Sequence, residues 1–198
     1  YVIYEAIGHC FDRLGNFPQA RFHYKKASHL NADDSQILHK IATTYMNESA
    51  WQPAIKTLLL AISMHKMQPE YNLSLGRCYM ETGKTAEAIS CLANVVKMRP
   101  KNTAGWSELL NCLYRAKMFT EGIEYASMAY DQTSKKPIFL FYQSLFLYAE
   151  GKFKDAFLYL ENGMAADPKL LKKLIELEPS LLRHQQVVEL AARYKKRK

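Results

Sequence analysis

The segments LGNFPQA (14–20), TGKTAEA (82–88) and EGKFKDA (150–156) stand 68 residues apart, twice 34, and two fainter copies, SAWQPA (49–54) and KMFTEG (117–122), fill the intervals. An internal period constrains a chain more than any single motif, because each copy must adopt the same supersecondary unit and bury its apolar face on its neighbours. The period divides the chain into 1–34, 35–68, 69–102, 103–136 and 137–170, in phase and without an insertion. Apolar residues recur within each copy at helical spacing, with no strand-like alternation, so an all-α fold is expected.

The third copy contains Gly83-Lys84-Thr85, the tripeptide that closes a nucleotide-binding phosphate loop. Such a loop needs a second glycine five residues earlier, between a strand and a helix, so that successive backbone N–H groups turn around the phosphates. Cys78 occupies that place, and Gly76 lies farther upstream in a helical pattern. Gly83 is instead expected to end one helix in a left-handed conformation before the next begins.

The columns of the period carry a recognisable pattern. Gly8 is matched by Ala42, Gly76, Leu110 and Ser144; Phe11 by Tyr45, Tyr79, Leu113 and Leu147; Ala20 by Ala54, Ala88, Gly122 and Ala156. Tyr24 recurs as Leu58, Leu92 and Leu160, with Ala126 the exception, and Ala27 as Ala61, Val95, Ala129 and Gly163. Pro100 and Pro168 close their repeats. This pattern resembles the tetratricopeptide repeat. Small residues in the Gly8 and Ala20 columns let two helices of a hairpin approach closely. In the fourth copy Leu110 breaks that rule, and Gly122 is expected to yield the room it takes.

The resemblance implies five helix hairpins stacked into a right-handed superhelical solenoid over 1–170, with the first helix of each repeat lining a concave groove. Residues 171–198 are read as capping helices: LKKLIEL as a sixth first helix interrupted at Glu178-Pro179, then a last helix with Leu182, Val187, Leu190, Ala191 and Tyr194 on one stripe. One domain is expected. The chain starts at Tyr1, mid-pattern, which suggests a fragment of a longer protein.

A groove of this kind implies a protein or peptide partner. Along the first helices the Asp12 column reads Asp12, Met46, Met80, Tyr114, Tyr148; the Glu5 column Glu5, His39, Leu73, Ser107, Phe141; the His9 column His9, Thr43, Arg77, Asn111, Leu145. The groove thus grades from polar to aromatic, which suits a peptide or helix with one polar and one hydrophobic end. The candidate partner-binding residues are His39, Met46, Arg77, Met80, Asn111, Tyr114, Phe141 and Tyr148. Phe141, Tyr142 and Tyr148 have a competing reading as core beneath the last segment. Some family members grip a C-terminal carboxylate with Lys, Asn and Arg on consecutive first helices. The corresponding places here hold Glu5, His9, Lys40, Glu70 and Ser74, so that subclass is excluded.

No catalytic constellation emerges, and neither a cofactor nor a metal is expected. Cys10, Cys78 and Cys112 share one column, where Thr44 and Phe146 take the other places, and read as packing positions. His9 and His39 lack an acidic companion at ligand spacing. Four cysteines without a disulfide pattern favour a reducing, cytoplasmic compartment, and no apolar run approaches the ~20 residues of a membrane span. Residues 169–198 hold nine lysines and arginines against three glutamates, six of the eight net positive charges of the chain. The terminal KKRK reads first as a solvated helix end, where cations are favourable, and second as a contact for nucleic acid. The leading function is a non-catalytic interaction scaffold; the alternatives are a nucleic-acid-associated protein acting through its basic end and a regulatory segment of a larger enzyme.

Overall fold

The computed structural model describes residues 1–195. Among these there are twelve α-helices and no strand. The first ten run α1 Val2–Arg13, α2 Phe17–Leu30, α3 Ser35–Asn47, α4 Trp51–Met64, α5 Pro69–Glu81, α6 Thr85–Met98, α7 Thr103–Arg115, α8 Phe119–Gln132, α9 Ile138–Ala149 and α10 Phe153–Ala166. They pair as consecutive antiparallel hairpins, α1 on α2 through α9 on α10. After a 3₁₀ turn at Pro168–Leu170 come α11 Leu171–Leu177, a second 3₁₀ turn at Pro179–Arg183 and α12 Gln185–Lys195.

The turn inside each hairpin explains the period. Gly15, Ser49, Gly83, Lys117 and Gly151, spaced 34 apart, all have positive φ, between 56° and 77°. In each, the N–H of that residue and of the next return to carbonyls of the preceding helix: Gly83 to Met80 and Lys84 to Tyr79, and Gly151 to Tyr148 and Lys152 to Leu147. Helices commonly end in this left-handed way because it satisfies carbonyls that the helix leaves orphaned. Gly83 of the Gly-Lys-Thr tripeptide is thus a helix stop, and the Lys84 ammonium lies 5.8 Å over the Tyr79 ring. No strand precedes it, so the phosphate-loop geometry is absent.

Packing follows the columns with one reassignment. A Cβ on Gly8 would lie 2.7 Å from Tyr24, and one on Gly76 2.8 Å from Leu92, so those glycines admit the large residue of their own second helix. Gly122 was expected to make room for Leu110. It does not: the space over Gly122 is filled by the ring of Phe146, from the first helix of the following repeat. Phe146 stands in the column held elsewhere by Thr44, Cys78 and Cys112, and the extra volume of the ring is what the missing methyl accommodates. Cys78 and Cys112 are buried as expected of that column, whereas Cys10 is exposed on the outer face of α1.

The chain forms two compact units, Tyr1–Arg99 and Pro100 onward. The boundary falls near the junction of the third and fourth copies of the period. In the first unit Ala20, Tyr24, Ala27, Ile37 and Ile41 form one core cluster, and Ala42, Ala54, Leu58, Leu75 and Cys78 another. In the second, α9 is buried almost all round, with Phe139 and every residue from Phe141 to Leu147 buried. A helix apolar on all faces belongs inside a protein. It is enclosed by α8, α10 and α11.

The terminal segment departs from its expected phase. Leu181, 1% exposed, is the buried residue, while Leu182 is 47% exposed. The segment 179–183 is a 3₁₀ turn and His184 is extended, so it does not share the helical phase of Val187 and Leu190, which are buried as expected. The KKRK end is described only as far as Lys195.

Candidate functional site

The first helices of unit 1 present the polar half of the sequence-predicted groove. His39 on α3 meets α5 twice: its Nε2 lies 2.9 Å from Ser74 Oγ, and its ring is 5.0 Å from that of Tyr71. Burial pushes the His39 pKa below its ordinary value, against the opposing pull of Glu70. The imidazole is therefore neutral at physiological pH, a hydrogen-bonding group and not a charge. Met46 and Met80 are partly buried, and Met46 packs on the cluster around Leu58. Arg77 and His9 are exposed. Lys40 forms an ion pair of 2.5 Å with Glu5, and Glu70 one of 2.5 Å with Arg99.

The aromatic half, in unit 2, is arranged differently. Phe141 is 1% exposed and lies against Gly163, so it is a core residue and not a groove residue. Asn111 Oδ1 accepts a hydrogen bond of 2.8 Å from the Tyr142 hydroxyl, whose pKa burial raises to about 12. Tyr114 donates its hydroxyl to Glu178 Oε2 at 2.5 Å and stands edge-on to Phe146. Tyr148 meets the His184 ring edge-on at 5.1 Å, and Phe153 and Phe157 complete an aromatic cluster around that histidine. Tyr114 and Tyr148, expected to stand open to a ligand, are thus each engaged by the chain's own terminal segment, through Glu178 and His184, and remain partly accessible. The periodic columns alone do not reveal this, because that segment lies outside the period.

Glu178 is the residue that sequence reasoning undervalued, reading it only as a helix stop. Its Oε1 accepts from both the N–H and the hydroxyl of Ser180, capping the 3₁₀ turn, while Oε2 accepts from Tyr114. These bonds, Ser180 first and Tyr114 next, hold the carboxyl below its ordinary range. A carboxylate two residues before a serine, at a proline-led turn, is the local signal of such a cap. A depressed folded pKa stabilises above the unfolded carboxylate value and ceases to as pH falls through the folded one. Glu178→Gln is accordingly expected to lower stability at neutral pH by about 1 kcal/mol. The gap from wild type should narrow as pH falls below the ordinary glutamate range and close below the depressed folded pKa, as read by thermal melts across pH; a gap independent of pH would refute the assignment.

One polar cluster was not foreseen. Ser35 Oγ lies 3.0 Å from His65 Nδ1 and 3.0 Å from the Tyr71 hydroxyl, joining groups 30 and 36 residues away. At 4% exposure and engaged on both sides, this hydroxyl ties two inter-repeat loops together and does not present a nucleophile. Among the described residues no group of three or more metal-ligating side chains converges, and no helix is long and apolar enough to cross a membrane.

Residues 73–137 match the tetratricopeptide repeat family. No curated protein matches the sequence. Among solved structures, MamA aligns with a TM-score of 0.73 at 19% identity, over 84% of this chain and 97% of its own. YrrB, described as a tetratricopeptide-repeat protein with an unusual peptide-binding site, aligns with a TM-score of 0.65 at 14% identity, over 94% of this chain and 89% of its own. The first such domain of Spaghetti (RPAP3), bound to the HSP90 peptide SRMEEVD, aligns with a TM-score of 0.57 at 16% identity, over 59% of this chain and 92% of its own. These likenesses establish the fold.

Proposed function

We propose that this chain, a tetratricopeptide-repeat protein, is a non-catalytic interaction scaffold that takes a peptide or helix of a partner protein on the first-helix face of unit 1. The observation that carries this reading is the contrast between the two units. In unit 2 Tyr114 and Tyr148 are engaged by the chain's own Glu178 and His184, whereas in unit 1 Arg77 and His9 are exposed and Met46 and Met80 are partly accessible. Thioethers adapt to varied apolar side chains, a guanidinium recognises carboxylates and carbonyls, and the neutral His39 supplies a hydrogen bond. The peptide-bound state of one structural neighbour and the peptide-binding site named for another support a peptide partner.

The mode differs from a carboxylate clamp. Lys40, the one lysine at a clamp place, is neutralised by Glu5, and the place of Glu70 carries the wrong sign. Four cysteines, none of them bridged, support a reducing compartment such as the cytoplasm.

The experiment is selection of binding peptides on the full chain from a random library, followed by titration calorimetry. Replacing Arg77 and Met80 together by alanine is expected to weaken the selected peptides at least about tenfold. The peptide SRMEEVD should give no binding heat. Selected peptides indifferent to both substitutions, or saturable binding of SRMEEVD, would defeat the proposal.

A further inference from the structure

The second helices divide by charge in a way the groove does not use. Helices α2 and α4 contain no aspartate or glutamate, and α8 contains no lysine, arginine or histidine. In unit 1 a cleft of about 440 Å³ opens between α2 and α4, over α3. Its floor is apolar, formed by Leu38, Ile41, Tyr45 and Leu60, and its rim is basic, formed by Lys25 and Lys56. Leu60 is 52% exposed. Neither rim lysine has an ion-pair partner among the described residues.

On α8 of unit 2, Glu121, Glu124, Met128 and Asp131 are all exposed. Their spacing of three, four and three places them on one ridge of the helix, about 15 Å long. Met128, 51% exposed, stands between the acids. None of the three carboxylates is paired among the described residues either. A ridge of acid, acid, apolar, acid is the chemical complement of a cleft with an apolar floor and a basic rim. Like-signed surfaces would repel other copies; opposite ones attract and steer them.

We infer that the chain self-associates, the α8 ridge of one copy seating in the α2/α4 cleft of another. Met128 fills the floor beside Leu60 and Tyr45, while Glu121 or Glu124 and Asp131 meet Lys25 and Lys56. The two surfaces are different patches, so the contact is heterologous: it leaves a free ridge and a free cleft at the ends, and it grows unless the rotation closes a ring. This inference is independent of the peptide-binding face, which lies on the first helices.

Sedimentation velocity on the full chain over a concentration series at low salt tests it. Association should be visible and should weaken as salt rises, because exposed charges are screened. The chain with Lys25→Glu and Lys56→Glu, and separately the chain with Glu121→Lys and Glu124→Lys, should each associate at least about tenfold more weakly, since like charges then face each other. All these positions are exposed, and circular dichroism is to check that each variant is folded. Mixing the two variants should restore association, because the acidic ridge of one then meets the basic cleft of the other. A wild-type chain that is monomeric throughout the series overturns the inference. So does association that ignores both double substitutions, or a mixture no more associated than its parts.

Discussion

Gly122→Ala is expected to destabilise unit 2 by about 3 kcal/mol, well beyond the usual effect of a glycine-to-alanine change in a helix. Alanine is intrinsically the better helix former by about 1 kcal/mol, so a purely local view gives the opposite sign. The local view loses because a Cβ at Gly122 would lie within 2.5 Å of three atoms of the Phe146 ring. That ring is fully buried in a helix enclosed on all sides, and it has no space into which to withdraw. A double-mutant cycle isolates the cause. In a Phe146→Cys background, which recreates the small residue found at this column in the third and fourth repeats, Gly122→Ala should become neutral or stabilising. Urea midpoints at constant slope provide the measurement. A single substitution as harmful in both backgrounds would show that the glycine serves some other purpose.

Phe141→Ala is expected to cost about 3–5 kcal/mol, as large buried aromatics do when truncated. Phe141 is 1% exposed and lies in contact distance of Gly163, so its removal leaves a cavity between α9 and α10. The same substitution should leave the affinity of selected peptides unchanged under conditions where the variant is folded, because the residue is no part of an open face. Retained stability together with lost peptide binding would return Phe141 to the groove and reverse the reading of unit 2.

The two expectations about unit 2 illustrate where the sequence was informative. Turns at Gly15, Ser49, Gly83, Lys117 and Gly151 were legible because each is a local event, one left-handed residue closing one helix, and it repeats with the period. Even Ser49 and Lys117, poor residues for that conformation, are placed correctly by register. The identity of the partner over Gly122 was not legible, because column comparison pairs residues within a repeat and the Phe146 contact crosses to the next. The contacts that engage Tyr114 and Tyr148 were hidden for a related reason. They come from Glu178 and His184, which lie beyond the last copy and obey no column. The helical positions of His39, Met46, Arg77 and Met80 were easier to read, because α3 and α5 follow the period alone.

The glycine–phenylalanine exchange has a consequence for how such a chain can change over generations. Arrays of near-identical modules are ordinarily free to lengthen, shorten or shuffle by unequal recombination, since any module fits behind any other. This array has lost part of that freedom. The fifth module, carrying Phe146, is accommodated behind Gly122; behind the first or second module the ring would meet the methyl of Ala20 or Ala54 instead. A duplication that inserts a copy of an earlier module between the fourth and fifth would therefore be selected against at the junction, whereas the same insertion among the first three would encounter only compatible alanine, threonine and cysteine. The last two modules are thus fitted to each other as a pair.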